Sequence, residues 1–471
     1  MTTVSMPRLR LVQNGEGGQA ATDPTVPPPK PIPRMRGRLR CTKAFHEDQI
    51  GFISGAHARY GDVVEAPIVT MNWYFVRDPA IINEINVTRW AEFYKPKLAK
   101  RLWKLFLGNG LVPNDGESWK RQHKLIMPAF HKLRIDGYGA IMTEYTRRMI
   151  SRYQEGEPRD VHRDMTALTL AVVGRTLFDA DVEGDAKTVG DAMVVISEML
   201  VEHINMPLPL PRWWPSAGNR RKMRAIGDME RVIRSHVQAR RTEGRDHGDL
   251  MSHLVFVTDD EGSAMTERQL RDEMMTLFFA GHETTAGVLT WAWWLLATHP
   301  DKLATLREEL DRVVGRAPIR VEDLPNLPYL EKVVKESLRL QPSVWCYMRE
   351  ATKDLRMGDY VFKRGRPILI SPYILGRDPR LHPNPLRYEP ERWTREYERG
   401  LPRGAYVPFA AGPRVCLGKQ FAMMELRLII GTLVQLLELN VPDGFTPDFV
   451  QELSLHPGER GIPMTVRHRP S

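Results

Sequence analysis

Cysteine is scarce in this chain of 471 residues, where Cys41, Cys346 and Cys416 are the only three. Thiols so widely spaced form neither a disulfide framework nor a CxxC metal site. Disulfides belong to oxidising compartments, whereas free thiols are typical of reducing ones. The cysteine content therefore predicts a cytoplasmic protein.

The first forty residues lack any apolar run as long as a signal peptide or a membrane anchor. They are Gly-rich, then Pro-rich, then basic up to Arg40. A segment of this composition buries too little apolar surface to order itself. We therefore expect a flexible Pro- and Arg-rich tail over residues 1–44, no membrane anchor, and a single folded domain over residues 45–471.

Patterns typical of nucleic-acid binding are also missing, because no basic run is interleaved with aromatic residues and no zinc-finger or helix-turn-helix spacing occurs. The 67 Lys and Arg residues exceed the 58 Asp and Glu residues only modestly, for a net charge of +9. Such an excess supports solubility or steers an acidic protein partner to a basic face. We expect no nucleic-acid partner.

Helical periodicity dominates most of the chain. It is clearest in residues 117–130, 138–154, 187–203, 217–242, 266–298, 300–314, 328–340 and 419–438. Residues 62–77 and 355–370 instead have the pattern of β-hairpins. The four prolines of residues 206–215 exclude a helix and favour a flexible lid or a surface patch. The sequence predicts a mostly α (α+β) fold, a large helical domain with a smaller β-rich part.

Residues 274–297 form an apolar stretch long enough to suggest a membrane-spanning helix. The middle of this stretch carries His282, Glu283, Thr284 and Thr285. Charge at that position is costly in lipid. A helix buried through the centre of a large domain explains both observations.

The most informative segment is the loop from Phe409 to Gly418, which holds Cys416 just ahead of a helical segment. A thiolate that binds iron gains from backbone N–H groups and from the positive end of a helix. Glycine allows a tight loop, Phe409 is placed to shield the sulfur, and Arg414 offers a cation to an anionic cofactor group. By itself, a lone cysteine in a glycine-containing loop would look similar.

This F-x-x-G-x-R-x-C-x-G pattern resembles the haem-binding loop of the cytochrome P450 family, and the resemblance extends from about residue 45 to the C-terminus. It implies the P450-like fold and a haem b cofactor whose iron Cys416 binds, with Arg414, Phe409 and Gly418 around it. Three further motifs follow the family order.

The second motif is Glu336-x-x-Arg339. Residues three apart share a helix face, and such a pair alone is usually a weak surface ion pair. The resemblance implies that Arg392 of the Pro-Glu-Arg segment joins Glu336 and Arg339 in a buried structural cluster.

The third motif lies within the long apolar helix and runs from Ala280 to Thr285. An acid beside a threonine is unexpected there, and a threonine hydroxyl that bonds to the previous turn loosens the helix locally. The resemblance implies that Thr284 acts on the bound oxygen and that Glu283 assists proton delivery.

The fourth motif is Trp119 with His123, whose spacing places both side chains on one helix face. The resemblance implies that both contact a haem propionate, where the family more often has arginine in the place of His123. It also implies a propionate contact for Arg349.

The resemblance implies a monooxygenase that depends on NAD(P)H and inserts one atom of O2 into an apolar substrate of the fatty-acid, terpene or polyketide class. The substrate pocket is expected at Leu277, Phe278, Ala280 and Val344. A haem-thiolate isomerase or peroxygenase that does not use O2, or a haem sensor, is an alternative. Such enzymes tend to lose the Glu–Thr pair that this chain has.

No flavin motif is visible, so we expect electrons to come from separate proteins, either a ferredoxin with its reductase or a flavodoxin. The expected contacts for this acidic partner are basic residues near the thiolate loop. They are Lys120, Arg121, Lys124 and Lys419. We expect the enzyme to be a monomer.

Overall fold

The structure is a computed structural model that describes residues 28–178, 186–205, 216–452, 454–458 and 460–469. The proposed lid at 206–215 lies outside the described residues. The α-helices are α1 (Arg38–Glu47), α2 (Gln49–Tyr60), α3 (Pro79–Asn83), α4 (Lys97–Leu107), α5 (Gly116–Ile126), α6 (Lys132–Gly137), α7 (Gly139–Ile150), α8 (Val161–Phe178), α9 (Ala186–Asn205), α10 (Ala217–Glu243), α11 (Leu250–Phe256), α12 (Glu267–Thr298), α13 (Pro300–Val313), α14 (Pro328–Leu340), α15 (Pro372–Leu375), α16 (Arg395–Gly400) and α17 (Lys419–Leu436).

The strands are short and form small sheets. They are β1 (Val63–Ile68), β2 (Met71–Val76), β3 (Phe93–Tyr94), β4 (Pro158–Asp160), β5 (Tyr347–Ala351), β6 (Leu355–Met357), β7 (Tyr360–Phe362), β8 (Pro367–Ile370), β9 (Leu437–Asn440), β10 (Val450–Gln451), β11 (Leu455–His456) and β12 (Pro463–His468). The largest sheet has the order β1-β2-β8-β5-β3. All eight predicted helical segments are helices, and the mostly α prediction is confirmed.

Helix α12 is the central element of the helical part. It begins at a capping box formed by Thr266 and Gln269, and it ends at His299, immediately before Pro300. Pro300 cannot continue the hydrogen-bond ladder of α12 and instead starts α13. The C-terminal half of α12, including Trp291, packs in the same core as α8, α14 and α17. Within the described part of the chain, no helix is long and apolar enough to cross a membrane.

Residues 355–370 do not form one hairpin, so that prediction was only partly correct. Strands β6 and β7 pair with each other, whereas β8 joins the large sheet. There β8 runs parallel to β2 and antiparallel to β5. All four residues of β8 are buried, because this strand lies inside the sheet and not at its edge.

The boundary expected at residues 44 and 45 falls inside α1, so the predicted tail is too long. Helix α1 buries Cys41, and Arg38 donates hydrogen bonds to the carbonyls of Val69 and Met71 at 3.2 Å each. Further towards the N-terminus, Lys30 forms a β-bridge with Tyr360. Order in this region depends on contacts with the distant β-rich part, which local composition does not reveal.

Candidate active site

The loop that carries Cys416 is held by backbone hydrogen bonds and by left-handed backbone angles at Ala410 and Gly412. The N–H of Cys416 donates to the carbonyl of Phe409 at 2.9 Å, and the N–H of Lys419 donates to the carbonyl of Cys416 at 3.2 Å. Gly412 has φ +67°, and a Cβ there would lie 2.0 Å from the carbonyl oxygen of Asn86. Ala410 also has a left-handed φ of 55°. Any larger residue at 412 would therefore displace the loop.

The surroundings of Cys416 act on its thiol in two opposite directions. The side chain is solvent-accessible, yet the surrounding protein is dense enough that burial raises the pKa of the thiol. The N–H of Gly418 and the charge of Lys419 act in the opposite direction and favour the thiolate. A solvent-accessible sulfur next to an N–H group that favours the thiolate is suited to binding a metal.

One strip of α12 is less buried than the rest of this central helix. Ala280 is exposed in the middle of α12, and Leu277 and Thr284 are half-buried. These three residues lie three and four positions apart and so share one face. The Thr284 hydroxyl donates to the carbonyl of Ala280 at 2.8 Å. The three side chains therefore form an open strip on this face of α12. The substrate contacts expected of Leu277 and Ala280 and the catalytic role expected of Thr284 stay predictions.

Phe278 does not belong to this strip, because it is buried in the hydrophobic core and only 2% exposed. Its predicted place in the substrate pocket is therefore corrected, since the helical rotation turns it towards the core with Met274 and Met275. Val344 is 37% exposed and remains available to a ligand. Glu283, the neighbour of Thr284, accepts a hydrogen bond from the Ser454 hydroxyl at 2.8 Å.

Several cations converge on a partly buried region that contains one carboxylate. Arg414 donates to Asp115 at 2.9 Å and stacks on the ring of Trp119, with its guanidinium carbon 3.6 Å from the ring centroid. The amine of Lys95 lies 3.2 Å from the carbonyl oxygen of Asn114, which also accepts from Arg414. The ring of His123 is 4.8 Å from that of Trp119. Lys95, Trp119, His123 and Arg414 therefore lie side by side.

The electrostatics of this region show an excess of positive charge. Burial lowers the pKa of Lys95 to about 7, with a further decrease from Arg414 and Arg349 that Asp115 only partly offsets. Burial and Arg349 lower the pKa of Arg414 to about 10, against the charge of Asp115. Burial lowers the pKa of Arg349 as well. Cations that oppose one another in this way are stabilised by an added anion.

Sequence reasoning missed Lys95, Asp115 and Ser454. Lys95 lies in an irregular segment between β3 and α4, and it carries no motif. Asp115 immediately precedes α5, the helix of Trp119, which is the only local signal for it. Ser454 is 171 residues from Glu283, so no spacing connects them.

The Glu336 cluster is buried and its hydrogen bonding is dense. Arg339 donates to both carboxylate oxygens of Glu336 at 2.8 Å each, and Arg392 donates to one of them at 3.0 Å. The indole of Trp393 donates to the other at 2.9 Å. Glu336 and Arg339 are 0% and 1% exposed. The arrangement joins α14 to residues 385–393, the geometry that the resemblance implies for these three residues.

The sequence model of the cytochrome P450 family matches residues 26–464. The chain belongs to the cytochrome P450 family. Cyclooctatin synthase of Streptomyces melanosporofaciens is 34% identical to it over 378 residues, which cover 79% of this chain and 82% of the relative. Cyclooctat-9-en-7-ol 5-monooxygenase of the same organism is 32% identical over 432 residues, or 90% and 93% of the two chains. The crystal structure of the cytochrome P450DA haem domain superimposes with a TM-score of 0.86 at 25% identity, over 94% of this chain and 98% of that one.

As a cytochrome P450, this protein uses haem b and is an oxidoreductase of the monooxygenase class, as the sequence predicts. The residues present fit this cofactor. Cys416 offers a sulfur to iron, and the excess cations Lys95, Arg349 and Arg414 suit a group with two carboxylates. The family match begins at residue 26 and so also includes residues 26–44 of the predicted tail.

Proposed function

We propose that this cytochrome P450 inserts one atom of O2 into a cyclic, largely hydrocarbon molecule, with electrons from separate proteins. The observation that carries the proposal is the less-buried strip of α12, which ends at Thr284 beside Glu283. A helix through a protein core gains nothing from an acid and a threonine at this place unless they serve a ligand. Haem bound through a thiolate supplies the activation of O2.

The residues of the chain then divide the remaining tasks. Cys416 would hold the iron through its sulfur, and Lys95, His123, Arg349 and Arg414 would bind the two propionates. Thr284 keeps its hydroxyl on the open strip, because its hydrogen bond to the carbonyl of Ala280 holds it there. Glu283 releases a proton in this direction and regains one from water.

Thr284→Ala tests this division of labour. We expect product formation per NADPH to fall about ten- to a hundredfold, with hydrogen peroxide released instead, because the proton no longer reaches the correct oxygen atom. The measurement compares NADPH, product and peroxide in one reaction, with a [2Fe–2S] ferredoxin and its reductase as electron source.

Thr290→Ala is the matched control, since Thr290 also lies on α12 and donates to the carbonyl four residues earlier at 2.7 Å. It is buried and lies away from the open strip. Its product yield is expected to stay within about twofold. Full product yield in Thr284→Ala, driven by peroxide without O2, would instead identify an isomerase or a peroxygenase.

The proposed substrate class comes from the strip and from the relatives. Ala280, Leu277 and Val344 present small or aliphatic surface to a ligand. One relative is named for the oxidation of cyclooctat-9-en-7-ol, by its name an unsaturated alcohol. We therefore favour a cyclic terpene over a fatty acid or a polyketide. Titration of the ferric protein with limonene, pinene and dodecanoic acid, followed by the haem spin-state spectrum, tests this choice, and tighter binding of dodecanoic acid would contradict it.

The proposed electron donor is an acidic protein, a ferredoxin or a flavodoxin, that docks near the Cys416 loop. Three of the four expected basic contacts are already paired within the chain. Lys120 lies 2.6 Å from Glu117, Arg121 lies 2.7 Å from Asp259, and Lys124 pairs with Asp260. Lys419 has no acidic partner among the described residues and starts the helix that follows Cys416. Lys419 is therefore the strongest of the four as a partner contact.

Lys419→Gln is expected to slow reduction by the ferredoxin about three- to tenfold at low ionic strength and to have no effect at high salt, because exposed charges act mainly on association. The measurement is stopped-flow reduction in the presence of CO. Lys124→Gln is the control, with a smaller effect because Asp260 already offsets its charge. Equal effects of the two substitutions would remove the special role of Lys419.

We further propose that the protein acts in the cytoplasm as a monomer and that residues 45–471, together with the whole of α1, belong to a single catalytic domain. One family match over residues 26–464 supports the single domain. Three separate free thiols support the reducing compartment.

A further inference from the structure

Glu452, next to strand β10, and Leu455, in strand β11, are held by hydrogen bonds with α12 and with the segment that follows α14. The indole N–H of Trp345 donates to the carbonyl of Glu452 at 2.8 Å, and that of Trp291 donates to the carbonyl of Leu455 at 3.0 Å. The N–H of Leu455 donates to the carbonyl of Ser343 at 2.8 Å. Both indoles are fully buried. Two bonds from buried indoles and one backbone bond therefore hold Glu452 and Leu455 in place.

Leu455, held in this way, packs directly on α12 near Glu283. A Cβ at Gly287, one helical turn beyond Glu283, would lie 3.0 Å from the Ser343 hydroxyl and 3.4 Å from the carbonyl oxygen of Leu455. The small residue at 287 therefore allows Leu455 to approach the helix. As a result, the hydroxyl of Ser454 reaches the carboxylate of Glu283 at 2.8 Å.

Ser454 is only 3% exposed, so its hydrogen bond to Glu283 forms away from bulk water. A hydrogen bond to a charged group is about twice as strong as one between neutral groups. The bond also fixes the direction of the Glu283 carboxylate. The Ser454 hydroxyl, next to the held residue Leu455, can donate only along a narrow range of angles. Glu283 has several rotatable bonds, and this contact restricts them.

We propose that Ser454 is a positioning residue that sets the direction of the Glu283 carboxylate for proton delivery. The inference rests on the role of Glu283 under the proposed function. Ser454 keeps its own proton throughout and donates only a hydrogen bond. Glu283 gives its proton towards the open strip and is reprotonated by water, so no other reactant is consumed.

The test uses the holoenzyme with a [2Fe–2S] ferredoxin, its reductase, NADPH and whichever of limonene and pinene gives the larger spin-state change. The variants are Ser454→Ala, Glu283→Gln, the double variant and Ser343→Ala. We expect Ser454→Ala to lower kcat about three- to tenfold with unchanged KM, and to raise both peroxide release and the solvent isotope effect. In the Glu283→Gln background the same substitution is expected to change nothing further, since Ser454 acts through Glu283.

Ser343→Ala is the matched control. Its hydroxyl is buried in the segment after α14 that contacts Leu455, and it has no hydrogen-bond partner among the described residues. This variant is expected to retain kcat and product yield within about twofold. A crystal structure of Ser454→Ala gives a readout independent of turnover, in which the Glu283 carboxylate turns away while the backbone of α12 stays in place.

The outcomes separate the two proposals. If Glu283→Gln has full activity, the proposed proton role of Glu283 fails, and the inference about Ser454 fails with it. If Glu283→Gln is impaired while Ser454→Ala behaves like Ser343→Ala, only the inference fails. An undiminished effect of Ser454→Ala in the Glu283→Gln background would likewise overturn it, because Ser454 would then act on the fold and not on the acid.

Discussion

Cys416→Ala is expected to abolish the red-shifted Soret band of the ferrous carbon monoxide complex and to reduce monooxygenase turnover by at least about a thousandfold. The band requires a thiolate opposite the bound carbon monoxide, and the thiolate also promotes O–O cleavage. The Cys416 sulfur is the only candidate on the loop between Phe409 and α17. Difference spectra of the reduced protein with and without carbon monoxide provide the measurement.

The two other cysteines are internal controls for this experiment. Cys41 is buried in α1 and Cys346 lies beside β5, and burial raises the pKa of both thiols. Their alanine variants are expected to keep the band in full, because neither thiol lies on the loop between Phe409 and Gly418. If the band persists in Cys416→Ala and disappears in one of the two controls, the iron ligand is Cys41 or Cys346, and the assignment to Cys416 is wrong.

Glu336→Ala is expected to lower the free energy of unfolding by about 3–5 kcal/mol, because it leaves the guanidinium groups of Arg339 and Arg392 buried without their carboxylate. Glu336 also accepts from the N–H of Glu389 at 2.8 Å and from the Trp393 indole at 2.9 Å. Residues 389–393 therefore lose three hydrogen bonds to α14, from Glu389, Arg392 and Trp393. Urea unfolding followed by far-UV circular dichroism measures the change, and haem content after purification is expected to fall with it.

The comparison for Glu336 is an ion pair of the same type at the surface. Lys132 lies 2.6 Å from Asp136 on α6, and the Lys132 side chain is 79% exposed. Lys132→Ala is expected to cost less than about 0.5 kcal/mol, since water screens the pair. If Glu336→Ala and Lys132→Ala lower the free energy of unfolding by similar amounts, burial does not make the Glu336 ion pair more important than an exposed one.

The parts of the site that lie within single segments were predictable from the sequence. Glu336 and Arg339 are three residues apart on one helix, and Trp119 and His123 are four apart on another. The Cys416 loop and the Thr284 segment are also continuous. In each case the local backbone, a helix face or a glycine-dependent loop, determines the relation between the residues.

The strand and helix assignments failed where local pattern competes with distant contacts. Helix α1 has few apolar residues, and its contacts are with the β1–β2 hairpin, about 30 residues away in sequence. Strand β8 follows a hairpin closely, yet it pairs with β2, nearly 300 residues earlier. Phe278 shows a similar effect on a small scale. It is apolar and close to Ala280, but the rotation of α12 turns it into the core.

The sequence by itself determined the family and the cofactor class and predicted the residues that carry the chemistry, because short continuous motifs encode them. Only the tertiary structure decided which separate segments meet. It placed Lys95 beside Arg414, paired Arg121 and Lys124 with the loop at Asp259 and Asp260, and brought Ser454 to Glu283. The physical reason is that these contacts join residues with no common helix or strand, so only the packing of the whole chain sets their distance.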